Sequence, residues 1–157
     1  MAEDFLLRLD DAQKHLKTAD HMIYVTFPIV REKRILIKVL EEIHNSLSIL
    51  IKTVLQYEYQ MKRIKLYNDE KMNFEVFRQR CASRYNIKPE QTEAIKEIIM
   101  IAEKHRQSPF EFTRDDRFMI MSDNLRLESI NLEKLKSFLA IAKDVTMKIN
   151  ASMNLMR

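Results

Sequence analysis

Leu36, Leu40, Ile43, Leu47, Leu50, Val54, Tyr57, Met61 and Ile64 recur at alternating spacings of four and three. That heptad seam predicts a helix with one apolar edge. Neither Gly nor Pro interrupts it, so the pattern extends to one long helix over about 32–66. The 35–64 stretch alone would run roughly 45 Å at the rise of an α-helix. A helix of that length needs other helices along most of its edge.

The rest of the chain supplies them. Phe5, Leu9, Ala12, Leu16, Ala19, Ile23 and Thr26 form a seam over 4–26, with Asp4 as its N-cap. Pro28 ends or kinks that helix, because a residue preceding proline avoids the α region. After a break at 67–69, with Asn68 or Asp69 as the cap, residues 70–84 predict a shorter helix with Phe74, Phe77, Cys81 and Tyr85 inward. Pro89-Glu90 is a start signal for a helix to about Arg106, with Ala94 or Ile95, Ile98, Ile101 or Ala102, and His105 along its edge. Between 110 and 130 the period changes to two. A small β-hairpin at about 117–129 is the leading reading and an irregular loop the alternative. Asn131 caps a last helix to about Met156, with Ile130 and Leu135 as its hydrophobic staple and Leu135, Phe138, Ala142, Val145, Ile149, Ser152 and Met156 as its seam. The predicted fold is all-α: one domain over 1–157, a bundle of about five helices around the long one.

Composition supports helices. The 157 residues include no Gly and three Pro, so tight turns with positive φ fall to other residues, with Asn the expected choice. Apolar residues make up 46% and charged residues 32%, which excludes a disordered chain. The single cysteine, Cys81, excludes an internal disulfide and a cysteine-based zinc site and fits a reducing cytosol. The run from Met22 to Val30 is broken by Thr26 and Pro28 and is too short to span a bilayer. A cytoplasmic protein with no membrane partner is the expectation.

Charge brings in candidate chemistry. Glu41 and His44 form one Glu-x-x-His, the helical spacing that di-iron bundles use twice; with no second copy, a metal site is a weak candidate and no cofactor is implied. Arg8 and His15 match the loosest Arg-x-His spacing of the small helical RNases of the HEPN class. That resemblance, which covers eight residues, implies phosphodiester cleavage, but Leu9 replaces the usual polar residue after the Arg, and Asp10 and Asp11 would repel phosphate. From Gln60 to Lys88 the cations Lys62, Arg63, Lys65, Lys71, Arg78, Arg80, Arg84 and Lys88 outnumber the acids Asp69, Glu70 and Glu75, with Tyr67, Phe77 and Tyr85 interleaved. Such a patch can bind phosphate backbones, although a net charge of only +4 better suits a solvated face, since dedicated nucleic-acid binders are usually more basic. Arg114, Asp116, Arg117, Asp123, Asn124 and Arg126 crowd the segment after the fourth predicted helix, where loop groups either serve a site or pair with one another.

Two features of the long helix bear on partners. Ile37, Val39, Ile51 and Leu55 widen its apolar edge and predict a second copy or a protein partner along that flank. Arg31, Lys33 and Arg34 lie at its start, where cations oppose the helix dipole, so either the helix begins nearer Ile29 or they face an acidic neighbour or ligand.

Three stretches carry a resemblance: residues 21–28 (HMIYVTFP), 55–59 (LQYEY), and 108–112 (SPFEF) followed by Ser122-Asp123-Asn124. Together they resemble a group of short, all-helical archaeal proteins with no assigned function. The resemblance implies a helical, cytoplasmic protein and transfers no catalytic residue. The expected function is therefore a non-catalytic binding or scaffolding role with self-association. Nucleic-acid binding through 62–88 and an RNase built on Arg8 and His15 are the alternatives.

Overall fold

The computed structural model describes residues 2–155. The fold is mostly helical, with one small antiparallel sheet. The chain begins with α1 (Ala2–His21), a widened π turn (Met22–Thr26) and α2 (Phe27–Val30). The long α3 (Arg34–Gln60) follows, then α4 (Glu70–Val76), which runs on through a π turn (Phe77–Cys81) and a 3-10 turn (Ala82–Tyr85). Next come α5 (Pro89–Gln107), the strands β1 (Phe110–Arg114), β2 (Arg117–Met121) and β3 (Leu127–Ile130), and α6 (Leu132–Leu155).

α1 begins before Asp4, which lies within its first turn instead of capping it. Nor does Pro28 end the helix. A proline in an α-helix presses its ring on the carbonyl four residues back and leaves that carbonyl without a donor. Here the π turn lies just ahead of it, with the Phe27 N–H reaching Met22 O. Helical backbone then continues to Val30 and stops at Arg31, whose φ is 55°.

α3 is shorter than its seam. Lys62 takes a left-handed φ of 60°, Lys62 N–H donates to Tyr59 O, and Arg63 N–H donates to Glu58 O. That pair of bonds is a Schellman stop, so Met61 and Ile64 lie beyond the helix. Asn86, at φ 59°, ends the 3-10 turn in the same way, through Asn86 N–H to Ser83 O and Ile87 N–H to Ala82 O. Asn was the expected left-handed residue. Arg31, Lys62, Asp115 and Leu125 adopt positive φ as well, each against a penalty of about 1–2 kcal/mol for an L-residue with a β-carbon.

The core forms around α3, which packs against α1, α5, α6, the second π turn and β2. The seam residues from Leu36 to Val54 are buried, as are Phe5, Leu9, Ala12, Leu16, Ala19 and Ile23 of the first helix. Small residues bring α1 and α3 close: Ala12 and Ala19 are fully covered, and the buried Ser46 hydroxyl donates to Ala12 O at 2.8 Å. Leu135, Phe138, Ala142, Val145 and Ile149 of α6 are buried; Met156 lies outside the described residues. Asn131 Oδ1 accepts the Lys134 N–H, and Ile130 and Leu135 are both fully buried, as a capped and stapled start requires. Asp69 is the cap of α4, accepting Lys71 N–H.

The flank of α3 is covered within the chain. Ile37, Val39, Ile51 and Leu55 are all buried, so these four side chains offer no surface to a partner.

Where one hairpin was expected, three strands form in the order β1-β2-β3. Phe112 pairs with Met119, and Ile120 with Glu128. Phe118, Ile120 and Ile130 join the core on the inner side, whereas Met119, buried too, faces the other side with its partner Phe112, and β2 packs on α5 and α3. Residues 110–114 become a strand because the alternating Phe110-Glu111-Phe112 can pair with β2 across the two-residue Asp115-Asp116 turn. The third strand gives the marginal hairpin its support.

Candidate nucleic-acid interface

At the C-terminal end of α3 a carboxylate is fully enclosed: Glu58 has no exposed surface. Two arginines from different segments hold it. Arg63 Nη1 donates to Glu58 Oε2 at 2.7 Å, and Arg84 Nη1 donates to Oε1 at 2.9 Å. Local structure sets up both bonds. The Schellman stop folds residue 63 back over residue 58, the position where such stops usually make an apolar contact; an ion pair replaces it. Arg84 lies in the 3-10 turn that the second stop terminates.

The two guanidinium groups are only part-covered, with side chains 39% and 40% exposed. Each uses one Nη1 on Glu58, which leaves most of a five-donor fork for another acceptor. Glu58 raises the pKa of Arg63, first through the hydrogen bond. Burial and then the Glu58 charge push the Cys81 thiol up to about 11, so it is no thiolate nucleophile at neutral pH. The same two causes raise Tyr85. The Tyr85 hydroxyl is buried and has no hydrogen-bond partner among the described residues.

The structure sorts the expected cations. Arg63 and Arg84 converge on Glu58. Arg80 adjoins Cys81 and is felt there as a charge. Arg78 is held within its own helix by Glu75, with Nε and Nη2 donating to Oε2 at 3.0 and 2.6 Å. Lys88 is exposed at the start of α5, where its charge is felt by Asp144 on α6. Lys62, Lys65, Lys71 and Arg80 are exposed and join no ion pair among the described residues. Of the interleaved aromatics, Phe77 and Tyr85 are core, whereas Tyr67 is 47% exposed and Tyr59, on the last turn of α3, is 51% exposed. The sequence reading missed Glu58 and Tyr59. Glu58 was findable, because it falls seven residues after Ile51 and three after Leu55, on the flank those residues bury.

The other candidates separate. His15 Nδ1 lies 2.6 Å from Glu42 Oε2, and the exposed Arg8 is two turns away, about 10 Å along the axis; no described contact joins them. Glu41 and His44 have different partners. Glu41 meets His105 Nε2 at 2.9 Å, and Arg106 Nη2 donates to His44 Nδ1 at 2.8 Å. A guanidinium on His44 opposes a metal cation, and no group of three His, Cys, Asp or Glu suited to a metal occurs among the described residues. Burial, then the Arg106 charge, lowers the His44 pKa. Burial also disfavours charge on His105, but the hydrogen bonds its ring donates to Glu111 and Glu41 outweigh it and raise its pKa.

The polar loop cluster is split by the sheet. Arg114, Asp116 and Arg117 lie at the β1–β2 turn, whereas Asp123, Asn124 and Arg126 lie at the β2–β3 turn. β2 separates them by about 17 Å at the rise of a strand. Asn124 and Ser122 serve their own turn, where Ser122 N–H donates to Arg126 O and Arg126 N–H to Asn124 Oδ1.

No helix among the described residues is long and apolar enough to cross a membrane. No protein-family model, curated protein or solved structure matches the chain.

Proposed function

We propose that this chain is a helical bundle that binds single-stranded nucleic acid, without reading its sequence, at the end of α3. The observation that carries the reading is the Glu58 clamp. A buried carboxylate fixes two arginines in place and leaves their outer donors to solvent. Held side chains lose less freedom when a phosphate arrives, and a guanidinium fork matches phosphate oxygens. The exposed cations Lys62, Lys65 and Arg80 extend the positive surface. Exposed Tyr59 and Tyr67 favour unpaired bases, which stack on aromatic faces, over a closed duplex.

The role is binding, not turnover. The thiol is suppressed, His15 has Glu42 beside it, and Arg8 is remote from it. The test is a fluorescence-anisotropy titration with a labelled single-stranded RNA at low salt, with a duplex of the same length as control. The reading expects tighter binding of the single strand and affinity that falls steeply with salt. Replacing Tyr59 and Tyr67 by Ala should remove the preference for the single strand. Absence of binding at low salt would refute it.

A further inference from the structure

The opposite end of the molecule has a different character. Exposed aliphatic side chains gather just ahead of α3, with Val25 in the π turn and Ile29 and Val30 in α2: Val25 is 45% exposed, Ile29 78% and Val30 54%. Cations follow at once. Arg31, Lys33 and Arg34 lie within four residues of Val30, and none has an ion-pair partner among the described residues. Beside them an open cleft of about 590 Å³ lies between the end of the first helix and the start of α3. Lys17, His21 and Lys38 line it, with Met22 and Ile35 as apolar walls and Glu32 as its one acid.

We propose that this corner docks on an anionic lipid surface, with Val25, Ile29 and Val30 entering the headgroup boundary and the cations meeting lipid phosphates. Charge complementarity selects the occupant. Aliphatic side chains ringed by Lys and Arg combine the two signals that stable attachment to an anionic bilayer requires. A protein partner fits less well, because three exposed aliphatic side chains are far fewer than the about 20–30 residues each side contributes to a stable protein interface. Nucleic acid accounts for the cations but gives no reason to expose aliphatics. The cleft suits a headgroup phosphate, which can reach Lys17 and Lys38 while the acyl chains lie along Met22 and Ile35. The attachment is peripheral, since no described helix can cross the membrane.

The inference is independent of the nucleic-acid reading, because α3 separates the two ends by about 40 Å. The experiment is co-sedimentation of the full chain with vesicles of phosphatidylcholine containing phosphatidylglycerol, against phosphatidylcholine alone. The expected result is binding to the anionic vesicles at least tenfold stronger than to the neutral ones. I29D/V30D should weaken that binding at least tenfold while leaving RNA titrations and the melting curve unchanged; both side chains are exposed, so the fold is not at stake. R31Q/K33Q/R34Q should weaken it as well. Equal binding to neutral vesicles, no binding to either, or anionic binding that survives I29D/V30D would overturn the proposal. So would a lipid-free dimer that I29D/V30D dissolves, because this corner would then belong to a second copy.

Discussion

The two ends of α3 are both basic, and they manage their charge in opposite ways. At the C-terminal end a fully buried Glu58 binds Arg63 and Arg84, so two of the cations are structural as well as exposed. At the N-terminal end Arg31, Lys33 and Arg34 have no carboxylate partner among the described residues, and Ile29 and Val30 beside them are exposed. Each end closes with a left-handed cation, Arg31 before the helix and Lys62 after it. The same local geometry therefore leads to a rigid site in one case and an adaptable surface in the other. The difference shows that counting basic residues says little until one knows which of them the fold has already used.

Stability measurements should separate the ends most strongly. Removing both partners of a buried charge leaves it uncompensated, which typically costs about 3–5 kcal/mol. R63M/R84M should lose that much in urea denaturation, whereas R31Q/K33Q/R34Q should change stability by less than about 0.5 kcal/mol, as surface substitutions do. Equal effects would erase the contrast. The next effect is smaller and shared. K62G and R31G each relieve a β-carbon at positive φ and should each stabilise by about 1 kcal/mol. A loss at Lys62 alone would show that its side chain contributes to the clamp.

The smallest effect belongs to the middle of α3, where Glu41 and His44 face α5. His105 has a raised pKa, so its contribution is complete below the unfolded value of about 6.5 and is lost as pH rises through the higher folded value. His44 has a lowered pKa, so its contribution is complete above about 6.5 and is lost as pH falls through the folded value. H105Q should flatten the decline on the alkaline side and H44Q the decline on the acid side, each by less than about 1 kcal/mol because the sites are partly solvated. Chemical denaturation across pH 5 to 8, roughly the range in which His titrates, reads both.

Much of this was legible in the residues. The four-three seams located the faces of the first helix, α3 and α6, because burial of an apolar stripe follows helical periodicity directly. Asn131 announced its helix as a preferred N-cap residue set ahead of an apolar seam, and its Oδ1 does accept the Lys134 N–H. The end of α3 was not legible, since Met61 and Ile64 keep the period and the stop depends on Lys62 entering a conformation no lysine advertises. The flank was read only as apolar. Along it Ile37, His44, Ile51 and Glu58 follow at sevens, and all four are buried; the two polar ones each receive an arginine from a distant segment, Arg106 and Arg84. Sequence spacing shows which face a residue shares, but not which far side chain arrives to satisfy it. The polar loop residues failed for a related reason. Their proximity in sequence was undone by β2, which sends Arg114 and Asn124 to opposite ends of a sheet.

The most direct test of the central claim is the salt dependence of RNA binding in two triple variants. Wild-type protein should bind a single-stranded RNA with log K falling linearly in log salt. K62Q/K65Q/R80Q should reduce that slope by about 2, near 0.7 for each phosphate that is no longer neutralised. R31Q/K33Q/R34Q should leave the slope unchanged. If the slope falls equally in the two triple variants, or if K62Q/K65Q/R80Q leaves it as in the wild type, the C-terminal end of α3 is not the nucleic-acid site.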